Sequence, residues 1–351
     1  MRRLAAVGRS FGLVRNLMSS PVPSCRGNVG CYDRDGRCWS MKCRRATADD
    51  VDALVDFPDD PGVVGLPRDQ VRQDFEAGRM RPEWSWLLED GGRLLGRALW
   101  WGRGDSVPSA LDALDVVPEL DDPRSVAVDL LRGGLADFSA SGERVLPPYT
   151  VRLPGGWRDD ERATRAATWR CEAMSDVGVT NSLERRQYAW TTENGVPAAS
   201  TRVEFRSGSD EEFVELFCEA ARGSLDVETR QALETMDELA QAQDDFEFYA
   251  GCPGEREWWQ VAFDGNGGPV GFIVPSATPY HRNVGYLGVL PSHRGQGFVD
   301  DLLGEVTRIH ADAGADLITA TTDMTNLPMA AAFDRAGYQV TEIRLVLEAP
   351  R

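Results

Sequence analysis

The sequence predicts an α/β fold built twice in tandem. Three observations point to it. The chain has 351 residues, more than one typical domain and comfortable for two. Strand-like and helix-like segments succeed each other in the same order in both halves. The composition, 42% hydrophobic and 27% charged, is an ordinary globular balance, and no apolar run reaches the length of a membrane span.

The first 40 residues differ from the rest. Ten Lys/Arg against two Asp precede residue 46. Arg9 interrupts the apolar stretch 4-LAAVGRSFGLV-14, which makes it a poor secretory signal. The segment reads as a basic leader or as an extension ahead of a start at Met41, and disorder is expected over 1–40. Four of the seven cysteines (Cys25, Cys31, Cys38, Cys43) lie here or just after. They lack paired zinc spacing and have no histidine nearby, so no metal site is expected. Cys171, Cys218 and Cys252 read as reduced cysteines.

From residue 44, RRATADDVDALVDF reads as a strand, then an acidic helix start. The stretch 84-WSWLLEDGGRLLGRALWW is a hairpin turning at Asp90-Gly91-Gly92. Then 111-LDALDVVPEL is a strand, and 123-DPRSVAVDLLRGGLADF a helix. The second half repeats this order: 201-TRVEFRSGSDEEFVELFCEAA, the hairpin 258-WWQVAFDGNGGPVGFIVP, the strand 284-VGYLGVLP and the helix 297-GFVDDLLGEVTRIHADAG. Val116 and Val289 share the offset of Pro118 and Pro291. The endings 173-AMSDVGVTNSLERRQYAW and 332-AFDRAGYQVTEIRLVLE also correspond. The expected domains are therefore 41–190 and 201–351, joined by the turn-rich linker 191–200.

A net charge of −18 argues against a nucleic-acid partner, because phosphates would be repelled. It suits a cytoplasmic protein, monomer or homodimer, that meets small molecules and no membrane.

The stretch 289-VLPSHRGQGFVDDLL-303 carries the most chemistry. A helix start offers unsatisfied N–H groups and partial positive charge, to which phosphates bind. Gly295 and Gly297 remove side chains, so backbone can approach a pyrophosphate, and Arg294 adds positive charge. Val299, Leu302, Leu303, Val306 and Ile309 fall on one helical face.

This V-x-P-x-x-R-G-x-G pattern before an amphipathic helix resembles the acetyl-CoA motif of the GNAT superfamily, the GCN5-related N-acetyltransferases. Val299 departs from the Gly or Ala usual in the family. Downstream, 326-NLPMAAAFDRAGY-338 resembles the family's second motif, and the resemblance covers nearly all of 200–351. It implies in each half a mixed, mostly antiparallel central sheet flanked by helices. It implies that Leu287, Gly288 and Val289 run beside the pantetheine arm, with a backbone N–H near Val289 polarising the acetyl carbonyl. Arg294, Gly295, Gln296, Gly297, Phe298, Val299 and Asp300 would hold the pyrophosphate. Asn326 would contact the cofactor, cap its helix, or both. In the first half Asp121 stands in place of Arg294 and Arg124 in place of Gly297. That half is expected to be degenerate and to support the other. The tandem arrangement resembles two-domain members such as mycothiol synthase, whose substrate is not carried over.

The family's usual base and acid are missing. No carboxylate occurs in 282-RNVGYLGV-289, and Phe333 stands where a tyrosine is common. Tyr286 and His281 are the substitutes, read alternatively as a core aromatic and a surface histidine. Asp226 and Glu228 are candidates to attract a cationic amine, or else are helix-cap acids. Asp323 is a polar cleft residue or a turn former. The expected function is N-acetyl transfer from acetyl-CoA to the amine of a small molecule or peptide by direct attack. The rival is a non-catalytic acyl-CoA-binding or regulatory module.

Overall fold

The computed structural model describes residues 29–32, 38–104, 107–140 and 146–350. The chain divides into two compact units. One runs to Leu183 and takes in the chain again from Arg344; the other is Glu184–Ile343.

The first unit opens with strands β1 (Val29–Tyr32) and β2 (Cys38–Arg45), antiparallel, with Val29 opposite Met41. Part of the stretch expected to be a disordered leader is therefore strand. Residues 1–28 and 33–37 lie outside the described residues. Helices α1 (Val51–Val55) and α2 (Arg68–Glu76) come next. Then come β3 (Trp86–Asp90), β4 (Arg93–Trp101), β5 (Ala110–Val116), α3 (Pro123–Ala140), β6 (Tyr149–Leu153) and α4 (Glu161–Asp176). The strands lie in the order β1 to β6, and only β5–β6 is parallel.

The second unit contains β7 (Asn181–Thr191), β8 (Glu204–Arg206), α5 (Asp210–Ala221), α6 (Val227–Ala232), α7 (Glu238–Ala250), β9 (Gln260–Phe263) and β10 (Pro269–Ala277). It continues through β11 (Arg282–Val289), α8 (Phe298–Asp312), β12 (Leu317–Asp323), α9 (Leu327–Arg335) and β13 (Gln339–Glu348), whose last residues count with the first unit. The order β7-β12-β11-β10-β9-β8 is antiparallel except at β11–β12. Each unit is thus a mixed, mostly antiparallel sheet with helices, and the element order of one repeats in the other.

The division falls ahead of the expected linker. β7 pairs with β12 from Arg185 to Thr191, so the chain is bound into the second unit before the irregular stretch begins. Helices pack on both faces of this unit's sheet. Leu302, Leu303 and Val306 of α8 are fully buried with Ile273, Ile318 and Phe333. On the other face Phe213 and Phe217 of α5 meet Val261, Phe272 and Val274. Each such burial contributes about 1.5–3 kcal/mol. The spacing read for α8 is the spacing that packs.

Candidate active site

Strand β11 breaks its own alternation. Val284 lies in the core beneath α8, and Leu287 and Val289 pack on that same core, although the first two are an odd three positions apart. Between them Gly285 has φ +70°, where pairing with β10 slips between Val274 and Ser276. This is a β-bulge, and the extra residue reverses the phase of the rest of the strand. Tyr286 therefore faces the α5 side, 4.9 Å from Phe217 and 5.5 Å from Phe272 between ring centroids. Asn283 braces the bulge. Its Oδ1 accepts from Gly285 N at 2.8 Å, its Nδ2 donates to Thr319 Oγ1 at 3.0 Å, and its carbonyl meets His310 Nε2 at 2.9 Å. His310 is fully buried, and burial lowers its pKa to about 4.

Pairing between β11 and β12 stops at Asn283. Past it, no strand among the described residues pairs with the β12-facing edge of β11. Leu290 N donates to Val270 O at 2.9 Å, on the β10 side. By alternation the N–H groups of Leu287 and Val289 point into the opening.

The chain then turns through Pro291–His293 into α8. Gly295 and Gly297 take φ +76° and +79°, left-handed values that cost other residues about 1–2 kcal/mol. Gly297 is the N-cap and no side chain caps the helix, so its first N–H groups remain to meet an anion. Arg294 departs from expectation. Instead of standing ready for phosphate, its guanidinium donates to the carbonyls of Val289 (3.2 Å), Ala220 (2.7 Å), Arg222 (2.7 Å) and Gly223 (3.0 Å). It caps the end of α5 and ties it to β11. Arg202, which sequence reasoning missed, lies against the loop. It donates to Gln296 O at 2.9 Å, pairs with Asp301 at 3.1 Å and sits 4.5 Å over the Phe298 ring. Val299 packs on the core beneath α8, and Asp300 pairs with Arg335 at 2.6 Å. Asn326 caps α9, its Oδ1 accepting from Met329 N at 3.3 Å.

Gly288 is buried between Phe272, Ala220 and Tyr286, where a Cβ would stand 2.8 Å from the Phe272 ring. Burial and the carboxylates of Asp245 and Asp226 push the Tyr286 phenol well up, so it stays protonated at neutral pH. His281 is not with it. It is exposed in the turn Thr278–His281, where Thr278 N donates to its carbonyl at 2.8 Å, and roughly 25 Å of strand separates it from Val289. Phe333 is buried and stacks on Tyr188 at 4.6 Å. Asp226 caps α6, accepting from Thr229 N at 2.7 Å. Glu228 pairs with Arg185 at 3.2 Å. Arg185 also binds Asp323 at 2.8 Å, and Asp323 accepts from Val227 N at 2.7 Å, fastening α6 to the end of β12. Helix α7, with Asp245 and Tyr249, was missed as well. Leu239, Ala242, Phe246 and Tyr249 after Asp237 were the signal, an apolar face behind an N-cap.

The first unit has the corresponding opening and fills it. Strands β5 and β6 pair only at Leu111 and Tyr149. Buried Arg170 of α4 donates to Leu114 O and to Tyr149 Oη, each at 3.2 Å. It also pairs with Asp60 at 2.8 Å and Asp115 at 3.3 Å. Val64 N donates to Arg152 O at 2.9 Å, laying the 60–66 segment along β6. Leu114 is the counterpart of Leu287 at the shared offset, so a guanidinium occupies the edge that is open in the second unit.

Residues 224–338, within the second unit, match the model of the Acetyltransferase (GNAT) family. No curated protein matches the chain. Among solved structures, a GCN5-related N-acetyltransferase from Sphaerobacter thermophilus is 17% identical with a TM-score of 0.52, covering 88% of this chain and 94% of that one. A GCN5-related glucosamine N-acetyltransferase region of a fungal multi-domain β-N-acetylglucosaminidase is 16% identical with a TM-score of 0.53, covering 88% and 38%. A tandem GNAT protein from the clavulanic acid biosynthesis pathway is 16% identical with a TM-score of 0.47, covering 88% and 98%. At these identities the first two likenesses speak for the fold alone.

Among the described residues no group of three His, Cys, Asp or Glu is placed to hold a metal, and no helix is long and apolar enough to cross a membrane.

Proposed function

We propose that the second unit transfers an acetyl group from acetyl-CoA to an amine by direct attack. The observation that carries this is the open β11 edge at Leu287–Val289, running straight into the uncapped, glycine-flanked start of α8. Acetyl-CoA supplies the activated thioester. The β11 edge orients the pantetheine arm by backbone hydrogen bonds. The Val289 N–H stabilises charge developing on the carbonyl oxygen. Backbone N–H groups from Gly295 to Val299 receive the pyrophosphate, and Arg202, paired with Asp301, lies against the same loop. As the C–N bond forms and the C–S bond breaks, Tyr286 protonates the departing sulfur. It regains a proton from solvent, into which the nitrogen's proton is lost. Most of the acceleration comes from positioning.

A second reading, an acyl-CoA-binding module without turnover, is favoured by two observations: Phe333 is core, and β11 carries no carboxylate.

Calorimetric titration of acetyl-CoA into the wild type and Gly297→Glu, then thiol release with a panel of amines, tests both. Binding at one site that is lost in the variant, with thiol release, supports transfer. Binding without release for any amine supports the second reading. No binding to the folded wild type removes both.

A further inference from the structure

Three polar side chains from three elements meet where β11 and β12 part. The last pair of that ladder is Asn283 opposite Thr319. The side chains of this pair are themselves joined, Asn283 Nδ2 donating to Thr319 Oγ1 at 3.0 Å. Thr319 Oγ1 in turn donates to Arg282 O at 3.3 Å. Asn283 Oδ1 takes the N–H of Gly285 at 2.8 Å and so reaches the bulge. His310 of α8 closes the cluster, its Nε2 meeting the Asn283 carbonyl at 2.9 Å. A carbonyl only accepts, so Nε2 carries the proton. Trp258 stands edge-on to the imidazole, 5.2 Å away at 85°, and Arg282 lies 4.4 Å over the Trp258 ring. The histidine is costly where it stands. It is fully buried, and Nδ1 has no hydrogen-bond partner among the described residues. An apolar side chain on the same helical face would not carry that cost. What the imidazole supplies instead is its one bond to Asn283.

The reach of α8 gives that bond its place. From Phe298 to His310 the helix rises roughly 18 Å, and from Asn283 to Val289 the strand advances roughly 20 Å. The helix that opens at the glycine loop therefore comes down on the fork of β11 and β12 when it reaches His310. We infer that Asn283, Thr319 and His310 are positioning residues for acyl transfer: they fix the point where β11 leaves β12, and so where on the open edge the thioester lies. Resting on the acyl-transfer reading above, this adds residues that act on the cofactor without touching it. They act through the bulge at Gly285, which sets the direction of the Leu287 and Val289 N–H groups. A slip of one position would turn those groups from the opening toward β10.

Infrared difference spectroscopy on the full chain, with acetyl-CoA isotope-labelled at the thioester carbonyl, reads the strand contact without an acceptor. In the wild type the bound carbonyl band is expected below that of free acetyl-CoA, because a strand N–H bonds to it. Thr319→Val and His310→Leu, shown to be folded by circular dichroism, are each expected to lose about half of that displacement or more. His310→Gln, whose amide nitrogen reaches the same carbonyl, is expected to keep it. Thr319→Val removes one hydroxyl at nearly constant shape, so it reports even where His310→Leu does not fold. The wild-type band in folded Thr319→Val or His310→Leu overturns the positioning role and leaves acyl transfer standing. So does a His310→Gln band that matches His310→Leu, since the bond to Asn283 would then not matter. A wild type that binds acetyl-CoA with its carbonyl at the free frequency overturns it as well. Failure of the folded wild type to bind acetyl-CoA overturns acyl transfer, and the positioning role with it.

Discussion

Gly285→Ala should be the most damaging single methyl in the second unit. The glycine adopts φ +70°, and a Cβ there would stand 2.1 Å from Val274 O, with Ser276 Oγ at 3.0 Å and Ser276 N at 3.1 Å. The left-handed backbone costs alanine about 1–2 kcal/mol. Relieving the clash means moving β10 from β11 by about 1 Å, an overpacking cost of about 1–3 kcal/mol. The obstacle is backbone, not the end of a flexible side chain, so little of this relaxes away. The sum is about 2–5 kcal/mol, a large part of a typical stability of about 5–15 kcal/mol. Urea denaturation monitored by tryptophan fluorescence reads it as a lower midpoint at unchanged slope. Gly265→Ala, where nothing lies within 4 Å, is the control and should shift little. Because the bulge also sets the phase of Tyr286, Leu287 and Val289, the folded fraction should bind acetyl-CoA more weakly. A variant with the wild-type midpoint and wild-type affinity would refute the claim that Gly285 holds the bulge.

The same geometry leads to other expected outcomes. His310 has its pKa lowered to about 4, below the ordinary 6.5, by burial. Between those values the unfolded chain takes up a proton that the folded one refuses. Stability should therefore fall as pH drops from 6.5 toward 4, by up to about 3 kcal/mol, with that slope missing in His310→Gln urea titrations. Arg170→Ala should cost about 3–5 kcal/mol by removing the cation from Asp60 and leaving Asp115 with Arg97 alone, while calorimetry still finds one acetyl-CoA site of unchanged affinity. A stoichiometry of two in the wild type would show that the filled slot opens. Arg294→Lys should lower the thermal midpoint almost as much as Arg294→Ala, since an ammonium cannot span four carbonyls. Tyr286→Phe should lower kcat with little change in acetyl-CoA affinity, measured by thiol release and calorimetry.

What the sequence by itself determined was local. The hairpins, much of the order of strands and helices though not α2 or α7, the amphipathic face of α8 and the glycine turn before it were legible. Each depends on residues near one another in the chain, through periodicity, turn chemistry and capping. Asp121 and Arg124 in the first half already departed from the arginine and glycine of the second. Only tertiary structure decided the rest. Arg294 reads as a phosphate ligand until α5 brings its carbonyls within 2.7 Å. Which face Tyr286 takes hangs on one unpaired residue, Gly285, because a strand's side chains alternate and a single insertion reverses them. His281 is close to Val289 by residue number, yet an extended strand carries it to the far end. Arg170 gave no sign that it fills an edge more than fifty residues away. Hydrogen-bond partners that lie far apart in the chain leave no mark on local pattern; they are chosen when strands pair and helices dock.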